Sequence, residues 1–357
     1  MKSEINMNID YLIVGCGLAG IAFAETCLQN NKSIIVFDNN SQTSSTIAAG
    51  LYNPVILKRF SGLQDAQSQI DLLNVFYKSI KEKLKVQFDF KTPILRKFFS
   101  IEEQNNWFTA SDKPDLTSFL SLDLIKTKYS GIDSPFDFGE VLQTGYVDTA
   151  LLLKSYHSYL SENNLFKNEA FDYDKIRFEN DNVFYNNIKM TNIVFAEGFG
   201  MHSNPFFNDI PLDGTKGELF IIKAPNLNLD VIVNTSVFIL PLGNDLFKVG
   251  ATYNWADKTN IPTENGKLEL IERIKEILNC DFEIIEHFAG VRPTVKDRKA
   301  LIGTHKTHKN IHILNGMGTR GVMLAPTIAK ILFEKIESGK PINPSIDIER
   351  FYKKIYK

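Results

Sequence analysis

The chain has 357 residues, of which 43% are hydrophobic and 23% are charged, and its formal net charge is −2. This is the composition of an ordinary globular protein with enough apolar residues for two domains or one large discontinuous unit. The small net charge provides no overall field that would attract nucleic acid or a membrane surface. Three cysteines without paired spacing argue against a disulfide framework and favour a reducing, cytoplasmic compartment.

The first forty residues alternate between apolar runs and a glycine-rich turn. The pattern predicts a strand over residues 9–14, a helix over 18–29 and a second strand over 33–37. Charge and glycine interrupt the apolar run too often for a membrane-spanning helix, and no basic leader precedes it. G-x-G-x-x-G spacing at such a turn brings the backbone close to a dinucleotide pyrophosphate, and an acid after the second strand binds its ribose. The residues with these predicted roles are Gly15, Gly17, Gly20 and Asp38.

The middle and end of the chain contain amphipathic helices and short strands. Helices are predicted over residues 64–85, 149–162, 264–278 and 322–338, the second capped by Asp148, with a short helix at the C-terminus. Short strands are predicted over residues 94–100, 192–196, 218–223, 237–240, 246–252, 300–303 and 311–314.

Residues 290–303, GVRPTVKDRKALIG, form a charged stretch that begins and ends in glycine and apolar residues. A surface turn accounts for most of its charges, and Asp297 and Arg298 are expected to shape that turn. It accounts less well for Arg292, because a guanidinium between a valine and a proline needs a partner or water. Three histidines within residues 305–312 flank a second turn and are interleaved with lysines, which indicates a solvated turn rather than a metal site.

Four segments in this order resemble the FAD-dependent D-amino-acid oxidase superfamily, in particular glycine oxidase, sarcosine oxidase and the oxidase half of the bifunctional tRNA 5-methylaminomethyl-2-thiouridine enzyme. They span nearly the whole chain, and Ala300 replaces a proline that is usual in the last motif. The segments are VGCGLAG at 14–20, SSTIAAGLYNP at 44–54, IVFAEGFG at 193–200, and GVRPTVKDRKALIG at 290–303 followed by NGMGTRGVMLAPTIAKIL at 315–332.

The resemblance implies an α/β flavoprotein fold of the two-dinucleotide-binding-domain type. Its Rossmann-like FAD domain would comprise residues 1–87, 142–215 and 286–357. A discontinuous substrate domain, built on a mostly antiparallel sheet, would comprise residues 88–141 and 216–285.

The resemblance also implies where FAD binds. Small residues after the second strand would lie close to the flat ring, and the IVFAEGFG turn would lie beside the pyrophosphate. A glycine-rich turn opening the 322–338 helix would face the N1–C2=O edge of the flavin. No cysteine precedes that helix where some relatives attach their flavin, so non-covalent FAD is expected. The additional expected cofactor-binding residues are Ser45, Ala48, Ala49, Gly50, Ala196, Gly198, Gly318, Thr319, Arg320, Gly321 and Val322.

For the substrate, the resemblance implies that Arg292 holds a carboxylate, because a planar guanidinium binds a carboxylate through two parallel hydrogen bonds. An interdomain salt bridge is the alternative for this residue. Tyr253 is expected to bond or cover the substrate, unless it is simply an interface aromatic. Glu218 is a weaker candidate for the partner of the substrate ammonium group.

The expected function is therefore oxidation of a small amine or amino acid by hydride transfer to flavin N5, with oxygen as the expected acceptor. Two alternatives stay open at this point. One is an FAD dehydrogenase or binding flavoprotein that does not use oxygen. The other is a tRNA-modifying oxidase acting on a carboxymethylaminomethyl-uridine, for which a local basic patch would be needed. Candidates for such a patch are Lys58, Arg59, Lys91, Arg96 and Lys97.

Overall fold

The computed structural model describes residues 7–179 and 182–355. The helices are α1 (Leu18–Gln29), α2 (Ser44–Ile47), α3 (Ala66–Leu84), α4 (Ile101–Ser111), α5 (Thr149–Glu162), α6 (Glu264–Lys275), α7 (Gly321–Ser338) and α8 (Glu349–Ile355). The strands are β1 (Met7–Val14), β2 (Ile34–Phe37), β3 (Leu51–Tyr52), β4 (Val55–Ile56), β5 (Ser61–Gly62), β6 (Asp89–Phe90), β7 (Ile94–Lys97), β8 (Leu120–Ile125), β9 (Phe138–Val141), β10 (Gly145–Val147), β11 (Phe166–Lys167), β12 (Ile176–Glu179), β13 (Asn182–Tyr185), β14 (Ile188–Phe195), β15 (Thr215–Lys223), β16 (Ile232–Asn234), β17 (Phe238–Gly243), β18 (Leu246–Gly250), β19 (Glu283–Arg292), β20 (Leu301–Thr304) and β21 (Ile311–Asn315).

One sheet has a parallel centre. Strands β11, β2, β1 and β14 lie side by side, and β21 pairs with the C-terminal half of β14. Ile13 of β1 lies between Val36 of β2 and Val194 of β14, and all three are fully buried. Because the central strands are parallel, the residues that follow β1, β2, β14 and β21 emerge at the same edge.

The second sheet is almost entirely antiparallel. Its strand order is β19-β15-β18-β17-β16-β7-β9-β8, and β16 and β7 form its parallel pair. The β15–β19 pair is long, with Thr215 opposite Arg292 at one end and Lys223 opposite Glu283 at the other. A separate apolar core, to which Phe220, Leu270 and other buried residues belong, lies between this sheet and α6. Together the two sheets confirm the predicted α/β class, while the predicted domain ranges stay a prediction.

Most predicted elements are present, and the structure adds several that were not predicted. Helix α1 has the predicted bounds, whereas the predicted strand 94–100 ends at Lys97. The reason is that the Ser100 side chain caps helix α4, accepting a hydrogen bond from Glu103 N at 3.2 Å. Helix α4 and short strands such as β10 and β16 were not predicted. No helix in the described ranges is both long and apolar enough to span a bilayer.

A buried carboxylate joins the helices that cover the parallel sheet. Glu25 on α1 has no solvent exposure, and Lys83 Nζ on α3 lies 2.6 Å from its Oε2 atom. The hydroxyl of Tyr156 on α5 donates to the same oxygen at 3.0 Å, and Gln29 donates to Oε1 at 3.0 Å. Since each partner comes from a different turn or helix, the carboxylate holds α1, α3 and α5 in one arrangement.

Removal of the cation in this cluster should destabilise the fold. In Lys83→Met the Glu25 carboxylate stays buried without a countercharge, so we expect the free energy of unfolding to fall by about 3 kcal/mol. Urea denaturation measures this change. The matched control is Lys78→Met, also on α3, whose ion pair with Glu82 is exposed and should be worth about 0.5 kcal/mol or less. Equal losses in the two variants would contradict the assigned role of Glu25.

Candidate functional site

The glycine turn after β1 is packed too tightly for side chains at two of its positions. A Cβ atom on Gly20 would lie 1.9 Å from the carbonyl oxygen of Gly15, and one on Gly15 would lie 2.4 Å from that of Ala196. Gly15 also has a φ of 97°, which L side chains rarely adopt. These contacts bring α1 close to β1 and leave Gly17 as the helix N-cap, while Ser45 Oγ accepts a hydrogen bond from Leu18 N at 3.3 Å. The positive end of α1 therefore faces the sheet edge.

Asp38 ties the glycine turn to the end of β2. Its Oδ2 atom accepts a hydrogen bond from the backbone N of Cys16, and Oδ1 accepts one from Asn40 N at 2.5 Å. The Cys16 side chain is buried, with 1% exposure. The carboxylate thus stabilises the turn in addition to lying where a ribose-binding acid is expected.

A cavity of about 2250 Å³ lies at this sheet edge and is also lined by strands of the antiparallel sheet. It brings nearly all of the predicted site residues together. Gly20 is not part of its lining, because this glycine lies behind the turn and packs against Gly15. The predicted residues that line the cavity are Gly15, Gly17, Asp38, Ser45, Ala48, Ala49, Gly50, Ala196, Gly198, Tyr253, Arg292, Gly318, Thr319, Arg320, Gly321 and Val322.

The lining fits the cofactor that the sequence implies. The glycine turn offers backbone at the N-terminus of α1, where a diphosphate binds well. A second helix N-terminus, that of α7, opens onto the same cavity after the turn at Gly318–Arg320. The small residues Ala48, Ala49 and Gly50 also line it. One elongated ligand with a diphosphate and a flat ring can therefore use both helix ends.

Arg292 projects from the end of β19 towards this cavity. Its Nη1 atom donates to Thr252 O at 3.3 Å, and its Cζ atom lies 4.7 Å from the centroid of the Tyr253 ring. No carboxylate of the described residues forms an ion pair with it. Burial lowers the pKa of the guanidinium, and proximity to Tyr253 opposes that shift. A cation desolvated without a countercharge favours an anionic ligand.

Arg320 is a second cation of the lining. Burial lowers the pKa of its guanidinium, and its Nη2 atom donates to Arg298 O at 3.4 Å. Arg298 itself has a φ of 56°, and Asp297 Oδ1 accepts a hydrogen bond from Lys299 N at 3.0 Å. Asp297 and Arg298 thus shape the turn, as expected.

Glu218 is excluded as a partner of a ligand in this cavity. Its neighbours Gly217 and Leu219 line the cavity, whereas Glu218 does not. Its carboxylate accepts hydrogen bonds from Thr263 N at 2.9 Å and Thr263 Oγ1 at 2.7 Å, and His287 Nε2 lies 2.8 Å from it. Alternation along β15 directs it to the opposite face. The same alternation can be read from the sequence. It indicates that Glu218 faces away from the cavity and that Gly217, which was not a predicted site residue, faces it.

The predicted basic patch is divided in the structure. Lys58 and Arg59 are exposed and line the cavity, and Arg96 lines it while bound to Glu103 at 2.9 Å. Lys91 pairs with Asp89 instead. The last member, Lys97, is buried with its ammonium group over an aromatic ring, and neither Lys91 nor Lys97 lines the cavity.

The three clustered histidines have different environments. The rings of His305 and His308 stack with centroids 5.0 Å apart. His312 is buried, and its two ring nitrogens lie 3.0 Å from Thr304 Oγ1 and 3.1 Å from Asn192 Oδ1. Burial lowers the pKa of the His312 imidazole to about 3, so it is neutral and structural.

Glu197 is the acid of the IVFAEGFG turn and lines the cavity. Tyr173 Oη donates to one carboxylate oxygen, and Asn204 Nδ2 donates to the other at 2.7 Å. Burial raises the pKa of this carboxyl from 4.5 to about 7, and the two hydrogen bonds oppose the rise. At pH values between these two, the folded state binds more protons than the unfolded state.

The free energy of unfolding should therefore fall as pH rises from about 4.5 to about 7, because the buried carboxyl must lose its proton. Glu197→Gln has no such group. We expect its stability relative to the parent protein to rise by about 2 kcal/mol between pH 5 and pH 8, since one pKa unit is worth about 1.4 kcal/mol and partial solvent access reduces the full value. Urea denaturation at both pH values checks this. A difference that does not change with pH would contradict it.

Comparison with known proteins supports the same fold and cofactor. Glycine oxidase of Bacillus subtilis (strain 168) is 21% identical over 93% of this chain and 94% of its own length. The crystal structure of glycine oxidase from Geobacillus kaustophilus superposes with a TM-score of 0.75 at 16% identity, covering 97% of this chain and 98% of that one.

A second group of relatives consists of larger proteins. The tRNA 5-methylaminomethyl-2-thiouridine biosynthesis bifunctional protein MnmC of Campylobacter jejuni subsp. jejuni serotype O:6 (strain 81116 / NCTC 11828) is 28% identical over 39% of this chain, which is 22% of that protein. The family profile named DAO, FAD dependent oxidoreductase, matches residues 10–335. This match covers most of the chain, which therefore belongs to the DAO family of FAD-dependent oxidoreductases.

Proposed function

We propose that the protein oxidises the C–N bond of a small amine or amino acid that carries a carboxylate. The observation that carries this proposal is Arg292, a cation without a carboxylate partner among the described residues, in the same cavity as the dinucleotide turn. The glycine oxidase relatives support the amino-acid class of substrate. Non-covalent FAD is part of the proposal, because no cysteine of the described residues lines the cavity.

The bound FAD supplies the two-electron acceptor for a hydride from the carbon that bears the amine. Arg292 binds the substrate carboxylate through its planar fork and so fixes the direction in which the adjacent carbon points. Apolar lining residues such as Leu219 and Val237 exclude water and strengthen this ion pair. Tyr253 packs on the guanidinium and limits its movement. A substrate bound with a neutral amine needs no base from the protein, and water hydrolyses the imine product.

Helix α7 would stabilise negative charge on a cofactor bound in this cavity. Its N-terminus follows the turn Gly318–Arg320, and the positive end of a helix favours an anion. The Arg320 guanidinium adds a positive charge to the same part of the lining. Oxygen is the proposed final electron acceptor of the overall reaction, with hydrogen peroxide as the second product.

A tRNA-modifying oxidase is the second candidate function. The observation that favours it is the exposed cationic pair Lys58 and Arg59 on the cavity lining, near enough to contact a bulky anionic substrate that enters the cavity. The MnmC relatives support it over part of the chain only. Against it, the net charge of −2 gives no overall attraction for RNA.

One experiment separates these candidates. The purified protein is mixed without oxygen with glycine, sarcosine, proline and D-amino acids, and bleaching of the flavin absorbance is followed. Bleaching by a member of this panel supports the small-molecule function, and its reoxidation by air identifies oxygen as the acceptor. Bleaching only by tRNA with the modified uridine would replace the first proposal by the second.

Cofactor retention should depend on Gly17. A Cβ atom at this position would lie 3.0 Å from Ser45 Oγ, its nearest protein atom, so a small shift of the Ser45 side chain would make room for it. Gly17→Val should therefore fold but lose most of its FAD, because the side chain occupies the space of the diphosphate. Absorbance at the flavin band and far-ultraviolet circular dichroism measure the two properties. A yellow Gly17→Val protein with normal FAD content would contradict the binding mode.

Substrate recognition should depend on Arg292. In Arg292→Ala the apparent affinity for carboxylated amines should fall at least thirtyfold, because truncating one partner of a buried charge pair costs roughly 2–5 kcal/mol. Arg292→Lys should recover only part of this, since a point charge does not reproduce the two-pronged contact. Anaerobic flavin reduction at a series of substrate concentrations gives these values.

Amines without a carboxylate provide the control for Arg292. Their reduction of the flavin should be nearly the same in the parent protein and in Arg292→Ala, because they never use the ion pair. Melting temperature and FAD content should also change little. If the variant releases FAD or affects both substrate types alike, Arg292 is structural and the carboxylate class of substrate is wrong.

A further inference from the structure

The guanidinium of Arg292 lies directly on the backbone of β15. A Cβ atom built on Gly217 would be 1.9 Å from Nη2, 2.2 Å from Cζ and 2.3 Å from Nη1. All three nearest atoms belong to Arg292, so the guanidinium occupies the space that any side chain at position 217 would take. Real Cβ atoms essentially never show contacts below 3.0 Å, so a residue with a Cβ would displace the guanidinium, which can shift because it is the end of a flexible side chain.

The strand register explains why these two residues meet. Thr215 lies opposite Arg292, and Gly217 lies opposite Gly290, so Gly217 is two residues further along β15 on the same face. The long arginine side chain leans along the strand pair and reaches the diagonal position, which is within range of long side chains. Both residues line the cavity.

Two further contacts hold the guanidinium in its position beside Gly217. Thr252 O accepts a hydrogen bond from Nη1 at 3.3 Å, and the Tyr253 ring lies 4.7 Å from Cζ. Both contacts come from the segment that follows β18. At position 217 a single added methyl group would therefore move the charge of Arg292 without removing it.

We propose that Gly217 is the positioning residue of the carboxylate site: its missing side chain sets where the Arg292 guanidinium lies and so where the substrate carboxylate binds. This rests on the proposed function of Arg292. The free backbone surface at Gly217 lets the planar fork lie against the strand, with its hydrogen-bonding edge available to the cavity. A Cβ atom lifts the fork away from the strand and misplaces the carboxylate relative to the cofactor.

The test measures binding of acetate, a carboxylate without an amine, through its perturbation of the flavin absorbance in the FAD-loaded protein. Gly217→Ala should raise the acetate Kd at least tenfold while FAD content stays near normal. For carboxylated amines the KM should rise, and flavin reduction by carboxylate-free amines should be unchanged. An unchanged acetate Kd would overturn the proposal.

A double-variant cycle supplies the matched control. In the Arg292→Ala background the space beside Gly217 is vacated, so adding Gly217→Ala should change neither the acetate Kd nor the melting temperature. If Gly217→Ala alone fails to fold or to hold FAD, the double variant should recover both, because the clash is absent. Equal effects of Gly217→Ala in the two backgrounds, or no recovery, would show a structural role and overturn the proposal.

The cycle also distinguishes this proposal from the one on which it rests. Suppose that acetate binds the parent protein and that Arg292→Ala weakens acetate binding, but Gly217→Ala does not. Then only the role proposed for Gly217 is wrong. If Arg292→Ala leaves acetate binding and the reduction by carboxylated amines unchanged, then the carboxylate site itself is wrong.

Discussion

The architecture depends on backbone contacts that exclude side chains at the glycine turn. Gly20 packs on the carbonyl of Gly15, and Gly15 packs on the carbonyl of Ala196. The start of α1 and the ends of β1 and β14 are therefore in direct backbone contact. This proximity aligns the ends of the parallel strands and directs the start of α1 towards the cavity. The remaining elements of the parallel sheet are arranged around that edge, and the antiparallel sheet encloses the space beyond it.

Two buried charges away from the cavity have ion-pair partners within the chain. Glu25 in the helical layer is matched by Lys83, and Lys216 on the outer face of β15 is matched by Asp257 at 2.5 Å, with Glu218 nearby. Each of these buried ions is neutralised within the chain, as the desolvation penalty demands. Arg292 has no such partner among the described residues. This contrast supports the proposal that a ligand carboxylate completes the electrostatic environment of Arg292.

The sequence predicted the parts of the fold that have a strong local pattern. Helix α1 and the glycine turn were found because glycine spacing and apolar periodicity agree, and nearly all the predicted site residues line one cavity. The start of strand β19 at Glu283 was not predicted, because its first half is partly exposed and has no regular alternation. Helix α4 was missed because it is mostly polar and is fixed by tertiary burial of Trp107. The contact of Arg292 with Gly217 depends on pairing between distant strands, so no local pattern could reveal it.

The cysteine within the glycine turn is protected against oxidative damage. Peroxide reacts with a thiolate that it can reach, and an oxidase that uses oxygen as proposed here would release peroxide beside this turn. Burial raises the pKa of the Cys16 thiol well above its ordinary value, and its nearness to Asp38 raises it further. Cys27 on α1 is also buried, and its pKa is likewise raised. Both sulfur atoms are therefore buried and protonated, the form that reacts poorly with the peroxide that the proposed reaction would release beside this turn.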